Sequence, residues 1–120
     1  MKALFDTNIL IDYLNEAPQA RAEIQRYSDK AISIVTWMEV MVGADPSVEA
    51  ATCAFLDDFE LLGVDEKVAE RAVRLRRSHR IRLPDAIIWA TAQVNSMLLV
   101  TRNTKDFPAD DPGVRSPYRL

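Results

Sequence analysis

The sequence contains few of the residues on which zinc, disulfide and nucleophilic sites are usually built. Among its 120 residues there is one cysteine, Cys53, and one histidine, His79. A single cysteine cannot form a disulfide within the chain or supply a thiolate zinc site, and the small and apolar neighbours of Cys53 indicate a core residue. His79 lies among arginines, which favours surface contact or phosphate binding over catalysis. Any catalytic or metal site in this chain must therefore be built mainly from other residue types.

Long apolar runs are also missing. No stretch approaches the roughly 20 apolar residues that a membrane helix requires, and the short segment before Asp6 is too small for a signal peptide. The content of 48% hydrophobic and 28% charged residues is typical of a soluble globular protein. We therefore expect a single domain over residues 1–120, located in the cytoplasm.

Positive charge is absent from a long central segment. Residues 31–66 contain acids but no lysine or arginine, whereas residues 71–82 contain six arginines and the histidine. Segregated charge gives one surface that attracts phosphate and another that attracts a basic partner, even though the net charge is −3. The arginines taken alone are equally compatible with a solvated helix face.

Short apolar runs alternate with helical patterns along the chain. Strands are predicted at residues 3–5, 31–35, 61–64 and 97–100, and the tail from residue 114 can supply an edge strand. Helices are predicted to begin near Asp6, Pro18, Thr36, Asp45-Pro46, Asp65 and Pro84. The predicted buried positions of the helices at 45 and 65 are Ala50, Ala51, Ala54 and Phe55, and Val68, Ala69, Ala72, Val73 and Leu75. This order predicts a three-layer α/β/α sandwich with a mostly parallel central sheet of four to five short strands.

Three acids occupy equivalent places in this pattern. Asp6 follows the first strand, Glu39 lies in the first turn after the second strand, and Asp85 begins the helix before the fourth. The carboxyl ends of parallel strands share one edge of a sheet, where ligands bind. Each acid also has a structural explanation: an N-cap, a capping box that pairs Glu39 with Thr36, and a favourable place in a helix dipole. For any one acid alone, the structural explanation is the stronger.

The structural explanation is weakest for Asp85, because the helix that follows it is apolar on nearly every face. An unpaired carboxylate in a dry core is costly, and helix-terminus amides recover only about 1 to 2 kcal/mol. The rest of the cost of burying the Asp85 carboxylate must be offset by a cation, which is either Arg80 or Arg82, or a divalent metal. Without a His or Cys cluster, the oxygen ligands point to Mg²⁺ or Mn²⁺. Asn103 and Asp106 bring further oxygen atoms to the same sheet edge.

Together these residues resemble the PIN-domain family, and most closely its VapC-type ribonuclease toxins of bacterial toxin–antitoxin pairs. The resemblance extends over the whole chain and rests on the segments LFDTNILID at 4–12, LPDAIIWATA at 83–92 and LVTRNTKDF at 99–107. The Thr36-x-x-Glu39 segment and the Pro117-Tyr118 tail add weaker support. The family often has a fourth acid in the loop after the fourth strand, where this chain has Asn103, with Asp106 three residues later.

The resemblance implies an endoribonuclease that hydrolyses RNA through a water activated by Mg²⁺ or Mn²⁺. It implies Asp6, Glu39 and Asp85 as catalytic residues and, with Asn103 and Asp106, as metal ligands. It also implies a homodimer and a cognate VapB-type antitoxin whose C-terminal segment covers the site. If the arginine-rich segment binds RNA phosphates, the candidate contacts are Arg77, Arg80, Arg82 and, after the fourth strand, Arg102.

Two alternatives have recognisable signatures. A phospho-receiver domain would have adjacent acids after the first strand and a lysine at a later strand end, whereas Thr7-Asn8 follow Asp6 here. A catalytically inactive PIN-like module that binds RNA or protein would have lost one of the core acids, and all three are present.

Overall fold

The structure, a computed structural model, describes residues 2–120. Within these residues the chain forms five strands, which are β1 (Ala3–Phe5), β2 (Lys30–Ser33), β3 (Glu60–Leu62), β4 (Leu98–Val100) and β5 (Val114–Arg115). The same residues form six helices, which are α1 (Thr7–Leu14), α2 (Pro18–Gln25), α3 (Ile34–Val42), α4 (Glu49–Leu56), α5 (Glu66–His79) and α6 (Leu83–Val94).

The strands form one sheet in the order β3-β2-β1-β4-β5, and each of the four pairings is parallel. The central strand β1 is buried along its whole length. At one edge, β5 pairs with β4 through the register Leu99 to Val114, so the tail does supply a strand. The carboxyl ends of all five strands meet at one edge of the sheet.

Two hydrophobic cores lie on opposite faces of this sheet. One contains Leu4 and Leu99 with the buried sides of α5 and α6, and the other contains Phe5 and Val100 with buried residues of α1, α2 and α4. Successive residues of β1 alternate between the two cores, as strand geometry requires. The predicted three-layer α/β/α fold is confirmed. No helix within residues 2–120 has the length and apolar character needed to cross a bilayer.

The second strand ends earlier than its β-branched residues predict. The Ser33 hydroxyl accepts a hydrogen bond from the Val35 N–H at 3.1 Å and caps α3, so the predicted helix start at Thr36 is wrong. The N-cap serine overrides the strand preference of the residues that follow it. Thr36 therefore lies inside the helix and Glu39 in its second turn, and the predicted capping box does not form.

The helix predicted at Asp45 begins later, at Glu49. The Asp45 carboxylate accepts a hydrogen bond from the Ser47 N–H at 2.9 Å and holds a turn there instead. Consequently the buried positions of α4 are Thr52 and Leu56. The predicted inward positions are exposed at Ala50, Ala51 and Ala54, and half-buried at Phe55.

The prediction for α5 is partly correct. Val68, Ala72 and Leu75 are buried, whereas Ala69 and Val73 are exposed. A helix that lies on the outside of a layer buries only a narrow stripe at i, i+4 and i+7 spacing, and the adjacent positions stay in solvent. The arginines of α5 occupy the remaining faces.

Candidate active site

One polar cleft of about 390 Å³ opens at the carboxyl edge of the sheet. Its walls come from the start of α1, from α3, from the start of α6 and from the segment after β4. The lining residues are Asp6, Thr7, Asn8, Ile11, Asp12, Glu39, Arg82, Asp85, Arg102 and Asn103. The three predicted acids, which are distant in sequence, therefore line the same acidic cleft.

Asp6 lies at the junction of β1 and α1 and is only 4% exposed. It is the N-cap of α1, since its Oδ1 accepts a hydrogen bond from the Thr7 N–H at 2.7 Å. Its Oδ2 accepts from the Thr101 hydroxyl at 2.7 Å and from the Asn8 side-chain amide at 3.1 Å. All of these donors are neutral, and no lysine or arginine within residues 2–120 forms an ion pair with Asp6.

Burial raises the pKa of Asp6 from its ordinary value of 3.8 to about 6. Hydrogen bonds from Thr101 and Thr7 lower this pKa, and the negative charges of Asp85 and Glu39 raise it again. The ionised form of Asp6 is thus disfavoured by both desolvation and its acidic neighbours. A cation in the cleft would reverse this balance.

The other two acids are held differently. Asp85 is buried near the start of α6, and the Arg82 Nε lies 3.3 Å from its Oδ2. Arg82, rather than Arg80, is therefore the arginine that reaches Asp85, but its side chain is 75% exposed and water screens the pair. Glu39 is exposed on α3, and the Thr7 hydroxyl donates to its Oε1 at 2.6 Å.

Asn103 and Asp106 form a local pair after β4. The Asn103 side-chain amide donates to Asp106 Oδ2 at 3.0 Å, and the Asp106 N–H donates to Asn103 Oδ1 at 3.2 Å. Asn103 lines the acidic cleft and Asp106 is not among its lining residues. Asp106 thus fixes the orientation of the Asn103 amide without lining the cleft itself.

The four predicted RNA-contacting arginines fall into two sets. Arg82 and Arg102 line the acidic cleft. Arg77 is exposed on α5, and Arg80 ends that helix in the left-handed conformation with φ 55°. Neither Arg77 nor Arg80 is among the residues that line the cleft.

Three polar side chains that connect the site received no role from the sequence. The Thr7 amide and hydroxyl reach two different acids. Thr101 donates to Asp6 and accepts from the Asn103 N–H at 3.0 Å. Asn8 connects the end of β1 to the end of β4, because its side-chain oxygen accepts a hydrogen bond from the Arg102 N–H at 3.1 Å. All three lie within a few residues of the end of β1 or β4, in the segments 4–12 and 99–107. That position is the only signal in the sequence for their supporting role.

The donor atoms of the cleft suit a hard cation. They are carboxylate, hydroxyl and amide groups, with no cysteine or histidine among them. No three Asp, Glu, His or Cys side chains in residues 2–120 are gathered closely enough to hold a metal ion by themselves. Mg²⁺ usually keeps several waters and binds one or two carboxylates together with substrate phosphates. The site therefore fits a partly hydrated ion such as Mg²⁺ and does not fit zinc.

Fold and site together define an α/β/α protein with an acidic cleft, suited to a divalent cation, at the carboxyl edge of a parallel sheet. The sequence matches the PIN domain model over residues 3–109. The chain belongs to the PIN-domain family and, within it, to the VapC-type proteins. This membership rules out the phospho-receiver alternative.

Individual relatives agree with this assignment. Ribonuclease VapC10 of Mycobacterium tuberculosis is 34% identical over 113 residues, which cover 88% of this chain and 85% of that protein. A toxin–antitoxin complex from Klebsiella pneumoniae contains a chain that is 47% identical, with a TM-score of 0.93 over 99% of this chain and 100% of that one. The DNA-bound VapBC of Salmonella typhimurium contains a chain that is 25% identical, with a TM-score of 0.78 over 96% of each chain.

Proposed function

We propose that this protein is a divalent-metal-dependent endoribonuclease and the toxin of a type II toxin–antitoxin pair. The observation that carries the proposal is Asp6, which is buried without an arginine or lysine partner in residues 2–120 and shares its cleft with Asp85 and Glu39. The similarity to a protein named as a ribonuclease supports the activity. The similarity to a chain of a toxin–antitoxin complex supports the biological setting.

The proposed ligands of the ion, Mg²⁺ or Mn²⁺, are Asp6, Asp85 and Glu39, each acting either directly or through a water that the ion retains. Asn103 is a further oxygen ligand at the cleft wall, and Asp106 contributes by holding Asn103. When bound, the ion supplies Lewis acidity, which polarises a phosphoryl oxygen and makes water a stronger acid near neutral pH. No Ser, Cys or His nucleophile is then needed.

The neighbouring residues keep the proposed ligands in place. Thr101 and Asn8 hold one oxygen of Asp6, and the Thr7 amide holds the other. The Thr7 hydroxyl also restrains Glu39. Such supporting hydrogen bonds orient ligands before a cation or substrate arrives.

The RNA backbone is the proposed partner of the arginines. Arg82 and Arg102 line the cleft, which supports contact with a phosphate there, and Arg77 and Arg80 are proposed as further phosphate contacts near the end of α5. A cationic rim next to an acidic centre can hold a polyanion without neutralising the acids. The proposed assembly is a homodimer with a cognate VapB-type antitoxin, which co-purification from the native operon would identify.

The test is incubation of the purified protein with a panel of tRNA, rRNA and mRNA in Mg²⁺, Mn²⁺ or EDTA. Mapping of new 5′ ends should reveal cleavage at defined sites with metal and none with EDTA. Asp85→Asn should abolish the new ends, because it removes a proposed ligand. The matched control is Asp58→Asn, which neutralises an exposed acid outside the cleft.

Two results would contradict the proposal. Unchanged metal-dependent cleavage by Asp85→Asn would remove Asp85 from the catalytic residues. RNA binding by the parent protein without cleavage in either metal would favour the alternative, a catalytically inactive RNA-binding module.

A further inference from the structure

A further buried acid lines the acidic cleft and has no role in the proposed chemistry. Asp12 on α1 is 5% exposed. Its Oδ2 and Oδ1 accept hydrogen bonds from Arg102 Nε at 2.7 Å and from Arg102 Nη2 at 2.9 Å. The Tyr118 hydroxyl, from the C-terminal tail, donates to Asp12 Oδ2 at 2.8 Å. We refer to these three residues as the Asp12 group.

The Asp12 group leaves Arg102 available to a ligand. A guanidinium has five N–H donors in a rigid fork, and the carboxylate of Asp12 takes two of them. The Arg102 side chain is 34% exposed and lines the acidic cleft. Its remaining donors and its charge can therefore serve an incoming phosphate, while the bidentate contact fixes the plane of the fork.

Tyr118 completes the support from the far end of the chain. Its hydroxyl shares Oδ2 of Asp12 with the Nε of Arg102, so it restrains the carboxylate that orients the arginine. Burial and the hydrogen bond to Asp12 raise the pKa of Tyr118, so the hydroxyl stays protonated and remains a donor. Because both Arg102 and Tyr118 bind the Asp12 carboxylate, the carboxylate has little freedom to rotate, and the guanidinium of Arg102 is held with it.

We propose that Tyr118 is a positioning residue, which acts through Asp12 to hold Arg102 at the cleft in the orientation that contacts an RNA phosphate. This inference rests on the proposed function, because it assigns part of the substrate contact to Arg102. Fixing an arginine before binding lowers the conformational cost of the contact. The tail that carries Tyr118 thereby becomes part of the substrate-binding apparatus.

The protein contains a matched control for this inference. Glu23 on α2 is 4% exposed and accepts from Arg115 Nε at 2.6 Å and from Arg115 Nη2 at 3.0 Å. The Tyr27 hydroxyl donates to its Oε2 at 3.0 Å. This Glu23 group has the same carboxylate, arginine fork and tyrosine hydroxyl as the Asp12 group, with a longer ion pair from Arg26 at 3.7 Å in addition, and none of its members lines the acidic cleft.

The experiment compares Tyr118→Phe with Tyr27→Phe, since each change removes one hydroxyl from an equivalent group. Tyr118→Phe should weaken RNA binding in EDTA and lower kcat/KM in Mg²⁺ by about fivefold, mainly through KM. The loss is smaller than that of a whole charge-assisted hydrogen bond, because Tyr118 acts on the RNA contact only through Asp12. Tyr27→Phe should change neither quantity, although both variants should show similar small losses in Tm. In an Arg102→Gln background, Tyr118→Phe should have no further effect on RNA binding.

The possible failures are distinguishable. RNA binding by Tyr118→Phe equal to that of the parent, or additive effects of Tyr118→Phe and Arg102→Gln, would overturn the positioning role while leaving the nuclease proposal intact. A parent protein that binds RNA but does not cleave it would overturn the nuclease proposal, and the binding measurements in EDTA would still decide the role of Tyr118. A parent protein that does not bind RNA would overturn both.

Discussion

Two buried aspartates on the same segment, Asp6 and Asp12, are stabilised in opposite ways. Asp12 faces a bidentate arginine and a tyrosine hydroxyl, whereas Asp6 faces only neutral donors and the charges of two other acids. A buried charge is costly unless it is paired. The fold thus supplies a cation where the acid is structural, and it leaves Asp6 to a cation from outside the chain.

The Glu23 group shows that the contrast is not an accident of one position. Burial raises the pKa of Glu23, but the hydrogen bonds from Arg115 and Tyr27 and the charge of Arg115 outweigh it, so the pKa lies below its ordinary value of 4.5. The pKa of Asp6 is shifted the other way, to about 6. Perturbation of this kind in a cleft is typical of a functional site.

The largest expected effect is a difference in stability between two equivalent substitutions. In EDTA, Asp12→Asn should lower the free energy of unfolding by about 2 kcal/mol, because the arginine fork loses its charged partner. Asp85→Asn should not lower it, because relief of repulsion on Asp6 offsets the loss of a solvent-screened pair with Arg82. Urea unfolding of both variants measures this difference, and equal losses would mean that the two acids are held alike.

An effect of comparable size is expected in the pH dependence of the metal-free protein. The folded pKa of Asp6, about 6, lies above its ordinary value of 3.8, so the folded state binds more protons between these values and stability falls as pH rises through this range. The contribution is on the order of 2 to 3 kcal/mol. Asp6→Asn should remove that fall from the pH profile of urea midpoints.

Glu23 should show the opposite sign in the same measurement. Its folded pKa is lowered, so it stabilises the protein above its ordinary pKa of 4.5, and the stability is lost as pH falls through the folded pKa. Glu23→Gln should therefore flatten the acid limb of the profile. Profiles of the parent, Asp6→Asn and Glu23→Gln that run parallel would contradict the contrast between the two acids.

The smallest effect concerns the basic surface outside the cleft. If Arg77 and Arg80 each contact a phosphate, replacing both with glutamine should reduce the slope of log K against log salt by about 1.4 for single-stranded RNA. The control replaces Arg21 and Arg26 of α2 and its C-cap, which changes the net charge equally. An unaltered slope after replacement of Arg77 and Arg80 would mean that they do not contact RNA and only form a solvated helix face.

Local signals in the sequence were sufficient for the sheet and for two of the acids. The buried strand before Asp6 and the apolar helix after Asp85 both predict that these acids lie at the carboxyl ends of strands. The structure brings both acids to one cleft. Glu39 reaches the same cleft, but from the second turn of a helix that begins at a serine cap rather than from the predicted capping box. A side-chain cap decides such a boundary against the preference of β-branched residues.

The contacts within the Asp12 group have no local signal in the sequence. Asp12, Arg102 and Tyr118 lie far apart in the chain, and only the folded topology brings their side chains together. The prediction of a buried alanine face on α4 is wrong, because alanine fits both environments and the capped turn at Asp45 delays the start of the helix. Periodicity identifies a helix more securely than it identifies which neighbour covers it.

The most direct test of the account is the change in Tm that Mg²⁺ produces in three forms of the protein. A ligand that binds only the folded state raises Tm, so the parent and Glu23→Gln should both be stabilised by Mg²⁺, whereas Asp6→Asn should show no such rise. A rise in Asp6→Asn as large as that in the parent, or no rise in the parent, would contradict the claim that the fold leaves Asp6 to a cation from outside the chain.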